Sequence, residues 1–148
     1  MNEYSLDEYI PLIREVVESG GEFRMYPRGT SMLPLLRQGK DSVALVKAEA
    51  VHRGDILLYQ RANGQYVLHR VVRVRRDGTI WFSGDNHLPI EKGIAFEQII
   101  ASVSAVFRDK KRKSSAALKM RIYAILITIF PYKAAQIFVR RVLRMFRK

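Results

Sequence analysis

The chain has 148 residues, of which 48% are apolar, 10% aromatic and 27% charged, a composition that suits one globular domain and is too apolar for a disordered chain. It contains no cysteine, so disulfides, thiolate metal sites and cysteine nucleophiles are excluded. The net charge of +12 sits at one end: residues 1–108 hold 14 Lys and Arg against 13 Asp and Glu, and residues 109–148 hold 12 against 1. A neutral body with a basic end points to an anionic partner for that end, a membrane surface or nucleic acid.

Ser5-Leu6-Asp7-Glu8 has the form of a capping box, and Leu6, Ile10, Ile13, Val16 and Val17 follow at helical spacing until Gly20-Gly21, which predicts one amphipathic helix. Glu3, Asp7, Glu8, Glu15 and Glu18 occupy the positions where a secretory signal needs cations and an apolar stretch, so the body is expected to stay in the cytoplasm. Strand-like segments follow at Glu22–Tyr26, Ser42–Val46, Ile56–Tyr59, Tyr66–Val74, Thr79–Ser83 and Ile99–Phe107. Turn signals separate most of them, and Asn63-Gly64 and Asp77-Gly78 are hairpin candidates. The body therefore reads as a mainly antiparallel β domain with an N-terminal helix over residues 1–108. Arg70, Arg73, Arg75 and Arg76 read as a solvated sheet edge that discourages aggregation.

Asp109–Ser115 reads as a charged linker, and the remainder of 109–148 as a basic, helical, amphipathic tail. On an ideal helix of about 100° per residue, Phe138, Val139, Val142, Leu143, Met145 and Phe146 fall within an arc of about 160°. Arg140, Arg141, Arg144 and Arg147 lie opposite, as in a helix lying in the plane of an anionic membrane. The longest apolar stretch, Ile122–Phe130, broken only by Thr128, is short of the roughly 20 residues that a span needs. A peripheral position at the inner face is expected, with a C-terminal transmembrane anchor as the alternative.

His52, His69 and His87 are the chain's three histidines, and their spacing gives no metal cluster and calls for no cofactor. Arg28-Gly29-Thr30-Ser31-Met32-Leu33-Pro34 follows a predicted strand, which sets Ser31 where a sheet gives way to a turn. A serine hydroxyl is a weak nucleophile until a base accepts its proton. His69, 38 residues later, shares a strand face with Val67 and Val71 and is the candidate base. The Ser83-Gly84-Asp85-Asn86 turn offers Asp85 to orient the imidazole.

In order, Gly29-Thr30-Ser31-Met32-Leu33-Pro34, Gly54-Asp55-Ile56, His69-Arg70-Val71 and Gly84-Asp85-Asn86 resemble the four sequence boxes of the signal peptidase and LexA-type superfamily of serine peptidases. The resemblance covers roughly residues 22–107. No lysine lies between Lys47 and Lys92, so the chain looks like the members with histidine, rather than lysine, as base. The resemblance implies an antiparallel signal-peptidase-like β fold and a serine endopeptidase that cuts a leader or signal-like segment from a precursor peptide. It implies Ser31 as nucleophile, His69 as base and Asp85 as orienting acid, with Glu91 as the alternative acid. Gly29 and Thr30 would contribute to the oxyanion hole, and Met32 and Leu33 to the substrate pocket. Two other readings are a catalytically idle peptide-binding module of the same fold and a basic adaptor for nucleic acid.

Overall fold

The computed structural model describes residues 6–87 and 89–128, and beyond them Ala135, Phe138 and Arg141. Ser5 of the expected capping box lies outside the described residues, as do Arg140, Arg144, Phe146 and Arg147 of the expected membrane-facing tail. Helix α1 (Leu6–Glu18) buries Ile10, Ile13 and Val17, the stripe that the apolar spacing predicts. It ends in a Schellman turn: Gly20 takes φ +84°, its N–H donates to the Val17 carbonyl, and the Gly21 N–H donates to that of Val16 at 2.8 Å. A left-handed residue at this place is what glycine supplies without a steric penalty.

Eight strands follow: β1 (Phe23–Met25), β2 (Ser42–Val46), β3 (Ile56–Gln60), β4 (Tyr66–Val74), β5 (Ile80–Ser83), β6 (Glu91–Ile94), β7 (Ile99–Arg108) and β8 (Lys111–Ser114). A second helix, α2, spans Leu118–Thr128. All strand pairs are antiparallel, in the order β1-β2-β7-β3-β4-β5-β6, with β8 also on β7. The protein is therefore mainly β, and both hairpin candidates are turns, joining β3 to β4 and β4 to β5.

Alternation along β3 divides the core. Leu58 joins α1, β2 and β7 in one cluster with Ile13, Val43 and Leu45, whereas Leu57 and Tyr59 join Val71, Ile80 and Phe82 in another. Side chains one residue apart on a strand face opposite ways. On β5, Phe82 is buried while Trp81 stays partly exposed.

Two sequence expectations need correction. Residues 109–115 are not a plain linker: Asp109 and Lys110 turn at φ 51° and 64°, and Lys111–Ser114 returns as β8 along β7. Arg70 is not part of a solvated edge either. Strand β4 lies between β3 and β5, and Arg70 is 2% exposed.

Candidate functional site

Ser31 sits in the loop after β1, where the Leu33 N–H closes on the Thr30 carbonyl and the Leu36 N–H on that of Met32. Met32 is buried in the α1 cluster, anchoring the loop from below, while Ser31 keeps partial exposure. His69 is on β4, paired across the hairpin with Leu57 of β3. Gly84 brings the two together. A Cβ placed on Gly84 would stand 3.1 Å from Ser31 Cβ, 3.2 Å from His69 Nε2 and 2.6 Å from the Ser31 carbonyl oxygen. Ser31 and the Nε2 edge of His69 thus flank one point that only a residue without a side chain leaves open.

The same turn clasps the serine loop. The Asn86 N–H donates to the Ser31 carbonyl at 2.8 Å, and the Asn86 side-chain amide donates to the Thr30 carbonyl at 3.2 Å. Gly29 donates its N–H to Gln38 Oε1 at 2.8 Å, so that group is already engaged. The N–H groups of Thr30 and Ser31 meet no acceptor among the described residues. They are among the donors of this loop that an oxyanion could meet.

The two candidate acids occupy different settings. Asp85 accepts from Arg70 through both oxygens, at 2.7 and 2.8 Å, with the two side chains 1% and 3% exposed. Arg70 also donates to the Gly54 carbonyl at 2.7 Å, and the Tyr123 hydroxyl of α2 donates to Asp85 Oδ2 at 3.2 Å. This is a buried and fully hydrogen-bonded ion pair, a setting in which losing either partner is expensive.

Glu91, at the start of β6, accepts the Tyr59 hydroxyl at 2.7 Å and Arg61 Nε at 2.9 Å on one oxygen and 3.0 Å on the other. Burial works to raise its pKa, but the hydrogen bonds from Arg61 and Tyr59, with the charge of Arg61 and, whenever it is protonated, that of His69, hold it below the ordinary carboxylate range. Burial, then the Glu91 carboxylate, push the Tyr59 phenol well above its usual range, so it stays protonated.

Tyr59 is the link between Glu91 and His69. Its hydroxyl lies 3.5 Å from His69 Nδ1, its ring is fully buried, and it stacks on Phe82 with centroids 4.1 Å apart. An ionised carboxylate only accepts, so the phenolic proton points to Glu91. Toward His69 the phenol oxygen then only accepts, which favours the tautomer with hydrogen on Nδ1. The lone pair of that tautomer is on Nε2, the nitrogen beside Ser31. Chemically, a neutral imidazole held in this tautomer is the form that accepts a proton from a serine hydroxyl once the hydroxyl comes within hydrogen-bond reach of Nε2.

Sequence reasoning named Ser31, His69, Asp85 and Glu91, carried Arg70 and Asn86 inside the matched boxes without a role, and missed Tyr59, Arg61 and Tyr123. Tyr59 lies in the apolar run Ile56–Gln60 and reads as core. His87 closes the turn with its N–H on the Gly84 carbonyl, and its ring lies edge-on 6.0 Å from His69. His52 has an exposed side chain, 3.6 Å from Asp55. No metal-ligating group of three or more side chains occurs among the described residues.

Comparison with family models, curated proteins and solved structures finds no match to the chain.

Proposed function

We propose that the chain is a serine endopeptidase of the signal-peptidase kind, cutting a leader-like segment from a precursor peptide. The observation that carries the reading is the meeting of Ser31 and His69 Nε2 around Gly84, two groups 38 residues apart that the sequence boxes single out. Ser31 Oγ attacks the scissile carbonyl carbon while His69 Nε2 takes the hydroxyl proton. The oxyanion is met by the Thr30 and Ser31 N–H groups. Collapse breaks the C–N bond, His69 returns the proton to the leaving amine, and water then hydrolyses the Ser31 ester with His69 again as base. Glu91 acts through Tyr59 to orient the imidazole, and Asp85 holds Arg70 and the turn that supports the serine loop.

The same reading sets the enzyme on an anionic membrane surface through its basic end. Leu118, Ile122, Ile125 and Leu126 form an outward apolar stripe on α2, 73%, 48%, 60% and 43% exposed, beside the exposed cations Lys119 and Arg121 and the basic β8. Farther along, Phe138 and Arg141 are exposed as well. Among the described residues no helix is long and apolar enough to cross a membrane, and a surface-bound helix needs only such a mixed face.

The test is mass spectrometry of a pool of leader-like peptides digested on anionic vesicles by wild type and by Ser31→Ala. Fragments made by wild type alone support the reading. Identical digests from folded, vesicle-bound chains remove it in favour of peptide binding without cleavage.

A further inference from the structure

Three cations converge on one ring. The charged ends of Arg73, Arg75 and Lys92 lie 5.6, 5.2 and 4.6 Å from the centre of Trp81, the chain's single tryptophan. Beside it opens a cleft of about 680 Å³ whose lining includes Val51, Val72, Val74 and Ile90 together with Arg53 and Arg73. Among the described residues none of Arg53, Arg73, Arg75 and Lys92 lies within ion-pair distance of a carboxylate. Arg53 already donates to the Thr128 hydroxyl and carbonyl, at 3.2 Å each, and the charge of Arg75 acts on Asp77, so it is the aliphatic walls with Arg73 and Lys92 that leave an apolar and an anionic demand unmet.

We infer that this cleft binds an acidic peptide segment carrying an apolar side chain. The apolar group enters between the valines and Trp81, and flanking carboxylates meet Arg73 and Lys92, whose mutual repulsion they relieve. A nucleic acid fits less well, because base stacking needs an open aromatic face and cations already lie over that of Trp81. The cleft adjoins the candidate site along the chain: Ile90 precedes Glu91, and Arg53 precedes Gly54, whose carbonyl holds Arg70. Its role as a substrate-recognition site rests on the peptidase reading, while the binding itself does not.

The single tryptophan makes the test direct. Emission of Trp81 is followed in the full-length Ser31→Ala chain, which leaves peptides intact, during titration with a ten-residue Glu-Leu repeat, its Lys-Leu counterpart and a ten-nucleotide oligothymidylate. The Glu-Leu peptide is expected to give a saturable change in emission, with Kd raised at least tenfold by Arg73→Glu and by Lys92→Glu, both exposed positions. Such sensitivity separates the cleft from the basic tail, which attracts anions too. No emission change, an unaltered Kd in both variants, or equal response to the Lys-Leu peptide or the oligonucleotide overturns the inference. The peptide digest reads the other question: a flat titration beside Ser31-dependent cleavage removes the cleft alone, and a saturable titration beside identical digests removes the peptidase alone.

Discussion

At the scale of single residues, the two acids near His69 separate by what they hold. Asp85→Asn leaves Arg70 buried without its counter-charge, and breaking such a pair costs about 3–5 kcal/mol. Thermal unfolding should show the loss directly. Glu91→Gln keeps a hydrogen-bonding side chain in a half-buried place, so it should lower turnover by at least tenfold with a smaller loss of stability; equal effects of the two variants on both readouts would contradict this division. Gly84→Ala drives a methyl group to 2.6 Å from the Ser31 carbonyl oxygen, and overpacking of this kind costs about 1–3 kcal/mol. Turnover and stability should fall together there. Acid stability should follow Asp41, a fully buried carboxylate whose pKa the side chain of Arg37 and, after it, the Arg37 N–H and Arg108 hold far below the usual range against the opposing effect of burial. A depressed folded pKa adds stability that is present above the unfolded value of about 3.9 and lost as pH falls through the folded one. Unfolding midpoints should therefore change little on this account above about pH 5 and fall in stronger acid, and Asp41→Asn should flatten that fall. The sequence marked Ser31 and His69 because a hydroxyl and an imidazole carry chemistry by type. Arg70 was misjudged because a cation reads as edge until its partner is known, whereas Tyr59 is core as it reads and only its link to Glu91 and His69 stayed hidden.

Whole elements show why those partners were hidden. A two-residue loop at Asn63-Gly64 would set Leu58 opposite His69, whereas the hairpin pairs Leu57 with His69 and Tyr59 with Val67. One residue of register moves an entire strand face, so the strands themselves were readable while the approach of Tyr59 to His69 was not. Strands β6 and β8 escaped notice for a related reason: Glu91–Ile94 has one strongly apolar residue and Lys111–Ser114 has none, so neither carries an alternating pattern. Their pairing with β5 and β7 makes them strands, and the charges of β8 suit an exposed edge. Helix α2 is apolar on both sides, with Met120 and Ile127 inward and Leu118, Ile122 and Ile125 outward. The membrane reading makes a prediction at this scale. Ile125→Asp should weaken binding to anionic vesicles at least tenfold, since excluding one large apolar side chain costs about 1.5–3 kcal/mol, and should leave the oligomeric state in solution unchanged. A variant that bound vesicles as well as wild type but changed from dimer to monomer would assign the stripe to a second copy instead.

In the whole molecule, an antiparallel sheet gathers distant stretches of chain at one place. The serine loop after β1, the middle of β4, the turn after β5 and the start of β6 converge there, and α2 adds Tyr123 to Asp85 and Ala124 against Gly54. The mainly antiparallel β class was legible because alternation and turn residues mark most strands one by one. The seating of α2 was not, because an all-round apolar helix does not reveal which side faces the sheet. The peptidase reading requires a covalent ester on Ser31 during turnover, and the mass of the chain itself tests it. Samples cutting a leader-like peptide on anionic vesicles are quenched in acid at short times, and the intact chain is weighed. A transient species heavier by the N-terminal fragment less one water, mapped to the segment holding Ser31 and absent from Ser31→Ala, is the result predicted. Cleavage by Ser31→Ala at the wild-type rate, with no such species in either chain, would contradict it.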